Sequence, residues 1–196
     1  MTAMGAMMWI AASPVIAMYA VFINEVLLGL FPLRGDAVLP GKNIRTIVMI
    51  PAHNEAWTGI AGTLERLRSV LPSAADILVV ADNCSDETAE TARASGFEVV
   101  ERSDPARRGK GFALDYGRAH LANSPPDCVM ILDADCIPDA GTIERLAAAA
   151  LRHGRPVQAV NLMRAGPDAG PIVQISNFAF MIKNLVRQRG LVRAGG

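Results

Sequence analysis

Two rhythms of apolar residues divide the chain. From Ala6 to Ile23, 18 residues are interrupted by Ser13 and Pro14 alone, and apolar character resumes from Val26 to Phe31. As a helix the first stretch reaches about 27 Å at 1.5 Å per residue, close to the roughly 30 Å hydrocarbon core of a bilayer. Asn24 and Glu25 argue against a simple span, because an intramembrane carboxylate is costly unless it lies at the interface or faces another helix. A buried hairpin or interfacial helix is the alternative at this length. No Lys or Arg precedes Arg34, so the basic start of a cleaved signal peptide is missing and the pattern predicts a retained transmembrane anchor. Arg34, Lys42 and Arg45 follow it, and the positive-inside rule places the remainder in the cytoplasm, at the cell inner membrane.

Pro32 to Asn43 carries Gly35, Pro40 and Gly41 among polar residues, a helix-breaking composition. The organisation expected is therefore an anchor over 1–33, a linker over 34–43 and a domain over 44–196. Within that domain, short apolar runs alternate with longer amphipathic stretches, the pattern of βαβ units and a mainly parallel sheet flanked by helices. Strands are predicted at Thr46–Ile50, Ile77–Ala81, Phe97–Glu101, Cys128–Leu132 and Val157–Leu162. Helices are predicted at Ile60–Val70, Asp86–Ser95, Gly111–Ala122, Ala140–Arg152 and Ile172–Arg189, with Pro72 and Gly96 closing the first two.

Unusual polar residues stand at the ends of three of these strands. The run Cys-Val-Met-Ile-Leu, read as a buried strand, ends abruptly in Asp133-Ala134-Asp135. Ligand crevices of open parallel sheets lie beyond the carboxyl ends of the strands, and closely spaced carboxylates there suit Mg²⁺ or Mn²⁺ carrying a diphosphate. After the first strand comes Pro51-Ala52-His53-Asn54-Glu55, where Pro51 ends the ladder and Asn54 and Glu55 could bond a base or ribose. After the second comes Asp82, followed by Ser85 and Asp86, which read as caps for the next helix. Lys110 stands between Gly109 and Gly111 in a basic loop, where glycine lets backbone approach a phosphate. Arg107 and Arg108 read as a solvated charge run, and His53 and His120 as structural or solvent-facing groups without evident partners.

Composition narrows the partners. The chain is 51% hydrophobic and 19% charged, with 19 basic against 19 acidic residues, an ordinary globular balance. It lacks the basic excess of nucleic-acid binders, so no nucleic-acid partner is expected. Cys84, Cys128 and Cys136 form no CxxC pair and read as reduced thiols in a cytosolic setting.

Taken together, Pro51-Ala52-His53-Asn54-Glu55, Val79 to Asp86, Arg108-Gly109-Lys110-Gly111 and Asp133-Ala134-Asp135 resemble, in order and spacing, the family 2 glycosyltransferases over roughly Ile44 to Gly196. The resemblance implies a Rossmann-like GT-A fold and inverting transfer of a sugar from a nucleotide-sugar donor, a UDP- or GDP-sugar. It further implies a carbohydrate or lipid-linked acceptor, a membrane setting in polysaccharide biosynthesis, and a divalent Mn or Mg cofactor. Residue by residue, Pro51, Ala52 and Glu55 would line the nucleoside and Asp82 would bond the base. Lys110 would lie near the donor, Asp133 near the ribose or sugar, and Asp135 would hold the metal. The general base is not identified: family members continue into an acceptor-binding half carrying such a carboxylate, and none is evident after Asp168. The expectation is a domain incomplete at its C-terminus. A catalytically incomplete nucleotide-sugar-binding module is the second reading, and a nucleotidyltransferase the third. The latter normally opens with a Gly-rich basic loop where this chain has Pro51 to Glu55.

Overall fold

A computed structural model describes residues 2–31, 43–57, 59–163 and 165–195. Apart from Asn43, the expected linker lies outside the described residues. Two compact units result: one combines Met1–Asp36 with Ala159–Gly196, and the other is Ala37–Gln158.

The second unit is an α/β sheet structure. Strands β1 (Thr46–Ala52), β2 (Ala75–Asp82), β3 (Glu98–Arg102) and β4 (Cys128–Ile131) alternate with helices α2 (Ile60–Val70), α3 (Thr88–Ala94) and α4 (Lys110–Leu121), and α5 (Thr142–His153) follows β4. All pairings are parallel, in the order β3-β2-β1-β4. Both faces of the central strands are covered, which is why β1 and β2 read as continuous apolar runs. On one face Val48, Ile50, Ile77 and Val79 pack with Ile60, Leu64, Leu67, Ala92 and Ile143. On the other, Ile47, Met49, Leu78 and Val80 meet Ala113 and Leu121 of α4. A Cβ on Gly117 would sit 2.8 Å from the Met49 sulfur and 2.9 Å from Val80 Cγ2, so the missing side chain is what lets α4 lie this close to the sheet.

Three expectations need correction. The strand of Cys128–Ile131 is an edge strand, with Val129 and Ile131 exposed, rather than a buried one. Its outer edge has no neighbour among the described residues, and its hydrophobic run is explained by only one covered face. Pro51 does not end β1, which continues to Ala52 opposite Ala81. The amide of Leu132 donates to the Met49 carbonyl at 3.1 Å, so position 51, two residues on, also faces the β4 side. There β4 has already ended, and proline's missing N–H leaves no ladder bond unmade. Finally, Val157–Leu162 forms no strand; it is irregular, and Val160 and Leu162 are exposed.

The other unit contains α1 (Ala3–Gly29), α6 (Pro171–Met181), a π-helical segment (Ile182–Val186) and α7 (Arg187–Arg193). Met7–Gly29 is long and apolar enough to cross a membrane. Pro14 lies inside α1 and cannot donate to the carbonyl of Ile10; the Ser13 hydroxyl donates to that oxygen instead, at 2.9 Å.

Candidate functional site

The connection from β1 goes to β2 on one side, while β4 lies on the other, so strand order reverses between β1 and β4. That reversal is where an open α/β sheet leaves a crevice outside its strand ends. Flanking it are the loop after β1, with His53 to Glu55, and the loop after β4, with Asp133 to Cys136. Asp82 ends the neighbouring β2, in register with Arg102 at the end of β3. An open depression at the opposite edge of the sheet, lined by Arg45, Ser73, Asp76 and His120 among others, lies away from every strand C-terminus.

On the β4 side, one ligand atom each from Asp133, Asp135 and Cys136 lies within 4.8 Å of the others. Both carboxylates are exposed. Two oxygen donors converging in open solvent at a strand end fit a hard divalent cation that keeps part of its water. Burial pushes the Cys136 thiol up, reinforced by the charge of Asp135 and its hydrogen bond. Lys110, expected in the loop, is instead the first residue of α4, whose entry is Gly109 at φ 117°. Its ammonium forms an ion pair with Asp133, so the predicted cation and one predicted carboxylate meet across the crevice.

The loops after β1 and β2 are laced together. The Ser85 amide donates to Asn54 Oδ1 (2.8 Å), the Glu55 amide to the Thr88 hydroxyl (2.7 Å) and the Ala56 amide to Asp86 Oδ2 (3.1 Å). Asn54 and Asn83 take left-handed φ of 55° and 50°, a region Asn tolerates. Asp86 also accepts from the Thr88 amide at 3.1 Å. Its carboxyl lies below its ordinary value, chiefly through the Thr88 hydroxyl bond, with the Ala56 and Thr88 amides adding to it. Asp86 is thus structural, as expected. The Asn54 side-chain oxygen is engaged by Ser85. His53 does have a partner, since its Nδ1–H donates to the Asp82 carbonyl at 2.7 Å, and His120 Nε2 meets Glu98 at 2.7 Å, tying α4 to β3.

Asp82 is 6% exposed. Its Oδ1 accepts from Arg102 Nη1 at 2.6 Å and from Asn83 Nδ2 at 3.0 Å. Arg102 also reaches Asp104 at 3.2 Å, and Asp104 accepts from Arg107 Nε at 2.9 Å. Burial pushes the Asp104 carboxyl up, but the Arg107 bond and the charges of Arg107 and Arg102 outweigh it and hold it below its ordinary value. Arg107 thus pairs with Asp104 at the rim of this network, while its side chain stays largely solvated, as expected. Sequence reasoning missed Arg102, Asp104, Thr88 and Cys136. Arg102 had a usable signal, a charge at a strand end like the other clusters.

Pro51 and Ala52 close β1, with Ala52 buried, and Glu55 is half-buried at the crevice rim. The structure thus brings Lys110, Asp133 and Asp135 together after β4, while Glu55 and Asp82 stand after β1 and at the end of β2, within the bonded loops of those strands.

Residues 47–194 match the family described as Glycosyl transferase family 2. Glycosyltransferase AglD of Haloferax volcanii is 32% identical over 120 residues, which is 58% of this chain and 19% of that protein. Among solved structures, mannosyltransferase PcManGT from Pyrobaculum calidifontis, in complex with GDP-Man and Mn²⁺, is similar with a TM-score of 0.55 and 22% identity. That likeness covers 71% of this chain and 41% of the mannosyltransferase. The chain therefore spans about a fifth of the curated relative and about two fifths of the solved one.

Proposed function

The chain belongs to glycosyl transferase family 2 and its sheet has a GT-A type fold, and on that premise we propose that it transfers a hexose from a nucleoside diphosphate sugar to an acceptor hydroxyl, with inversion. The observation that carries this reading is the convergence of Asp133, Asp135 and Lys110 beside the strand-order reversal. A nucleotidyltransferase has no comparable support, since the family match runs through all four motifs.

In this reading Pro51, Ala52 and Glu55 line the nucleoside, and Asp82 addresses the base with the oxygen that Arg102 leaves open. Asp135 holds a divalent ion, Mn²⁺ or Mg²⁺, and Asp133 contributes beside it or toward the sugar. When bound, the ion offsets negative charge on the diphosphate. Lys110 supplies a fixed positive charge on the same side, and exchanging Asp133 for a phosphate oxygen costs it no ion pair. Transfer forms a bond between the acceptor oxygen and the anomeric carbon while the bond to the diphosphate breaks, so charge developing on the leaving group is what Lys110 stabilises. The acceptor proton passes to a general base that none of these residues is assigned to be. The donor in this reading is a GDP- or UDP-sugar; PcManGT, which shares the fold, was solved with GDP-Man. The acceptor, a carbohydrate or a lipid-linked sugar in polysaccharide assembly, belongs to the same proposal. So does the placement of 1–33 as an inner-membrane anchor with 44–196 as the cytoplasmic transferase part.

The test is calorimetry on detergent-solubilised full chain with GDP, UDP and their sugars, with and without Mn²⁺. Metal-dependent binding of at least one diphosphate is expected. Binding of none, in protein shown to be folded, would remove the basis of the proposal.

A further inference from the structure

Helix α7 runs antiparallel to the end of α1. A Cβ on Gly29 would lie 1.8 Å from the Val186 carbonyl oxygen, and one on Gly190 would lie 1.7 Å from that of Glu25. Four residues back along α1 are thus four residues forward along α7, and glycine at these two positions is what lets the backbones meet. Three residues further, Arg193 comes level with Phe22. The π-helical segment and α6, which precede Val186, lead away past the end of α1. The cover that α7 provides is short: of the described residues of α1, Glu25 and Gly29 are the buried ones, and every residue from Ser13 to Asn24 is exposed.

Charge follows the same division. Helix α1 has no basic residue in its last turn, and Glu25 is its one ionisable side chain besides Tyr19. That carboxylate is 7% exposed and accepts from Arg187 Nε at 2.5 Å, so the cation that α1 lacks comes from α7. Arg189 and Arg193 follow on α7, level with Val26 and Phe22. Side chains of a helix lean toward its N-terminus. In α7 that direction is back toward the end of α1, and the Arg193 guanidinium lies 5.8 Å from the centre of the Phe31 ring. Hydrocarbon reaching to Gly29 would have to enclose these guanidinium groups, whereas hydrocarbon ending at Ile23 encloses none of them. The stretch left uncovered, Ala3–Ile23, is 21 residues, about 32 Å at 1.5 Å per residue, which matches the roughly 30 Å of a bilayer core.

We propose that α7 is a collar that fixes how deep α1 sits in the bilayer. Lipid hydrocarbon covers Ala3–Ile23 and ends at Asn24, and α7 docks on the turns that emerge, with Arg189 and Arg193 at the level of the lipid phosphates. Apolar length alone does not set this depth, since Met7–Gly29 would serve by composition. The two registers have their centres at Ser13 and Met18, about five residues apart and hence roughly 7 Å in depth. The inference rests on α1 spanning the membrane as proposed above.

The experiment uses the full chain in phospholipid nanodiscs, carrying Cys84→Ala, Cys128→Ala and Cys136→Ala. Single spin-labelled cysteines are introduced in turn at Ile10, Ala12, Val15, Met18, Phe22 and Leu27, and relative collision with oxygen and with a water-soluble nickel chelate reports the depth of each. Depth is expected to be greatest between Ala12 and Val15, with Leu27 outside the hydrocarbon. The double variant Glu25→Gln, Gly190→Leu removes the ion pair and drives α7 off, and should move the maximum by about five residues, to Met18. A maximum at Met18 without those two changes, with Leu27 in hydrocarbon, would overturn the collar and leave the span standing. So would a maximum that stays between Ala12 and Val15 in the double variant, because depth would then not depend on α7. Absence of depth at every position would remove the span as well.

Discussion

Asp82 carries two duties that its substitution confounds. Besides its place by the base, it neutralises Arg102, and both side chains are nearly buried. Asp82→Ala leaves the nearly buried Arg102 guanidinium with Asp104 alone and is expected to cost about 1.5 to 3 kcal/mol, the worth of a hydrogen bond to a charged group, whereas Asp82→Asn keeps an acceptor. Urea denaturation measures the first effect. Nucleotide calorimetry on the Asn variant then isolates base recognition, which an unchanged preference among nucleotides would refute. Asp135 behaves oppositely, since it is exposed: Asp135→Ala should abolish Mn²⁺-dependent diphosphate binding with little change in melting temperature. Asp86 sets a pH dependence. Its carboxyl is held below the ordinary value of 3.8, so its contribution is fully present above that value and is lost as pH falls through its lower folded value. Acid unfolding followed by circular dichroism should be less steep in Asp86→Asn below about pH 4; an identical acid limb would show that the Thr88 and Ala56 bonds do not favour its charged form. The Asp133 and Asp135 pair was legible because an apolar run stops there. The Arg102 pair was not, because the partners are 20 residues apart and only the β2–β3 register joins them.

Among elements, α4 shows how the site is held in place. Lys110 reaches Asp133 from the first turn of a helix whose distance from the sheet is set by Gly117. A valine at 117 should displace the helix, at an overpacking cost of about 1 to 3 kcal/mol, and weaken diphosphate binding beyond that of the Gly117→Ala variant, whose single Cβ meets the flexible Met49 thioether and one stiff methyl, Val80 Cγ2. Equal affinity in the two variants would argue that Lys110 position is set elsewhere. Strand existence was readable for β1 to β4 because period and length agree with burial. The false strand at Val157–Leu162 shows the limit of that reasoning: a short apolar run states what could be buried, while a sheet partner decides whether it is. Likewise Pro51 looked like a terminator until the early end of β4 showed that position to be an edge.

At the scale of the whole molecule, the strand order β3-β2-β1-β4 was beyond sequence patterns, since every βαβ unit reads alike whichever side its next strand joins. That order nonetheless places the crevice. The grouping of 159–196 with α1 was equally hidden, because it depends on two glycines and one ion pair. Full-length protein is expected to stay with membranes through alkaline carbonate washing, and its release into the supernatant would contradict the span. The ion pair between Glu25 and Arg187 joins residues 162 positions apart, and this has a consequence for biosynthesis. At roughly 5 to 20 residues per second, Glu25 is made about 8 to 30 seconds ahead of the residue that completes it. A nascent chain arrested before Arg187 should therefore hold its first helix in the bilayer less firmly than the finished one, and force-sensing arrest profiles should register a second pull when α7 emerges.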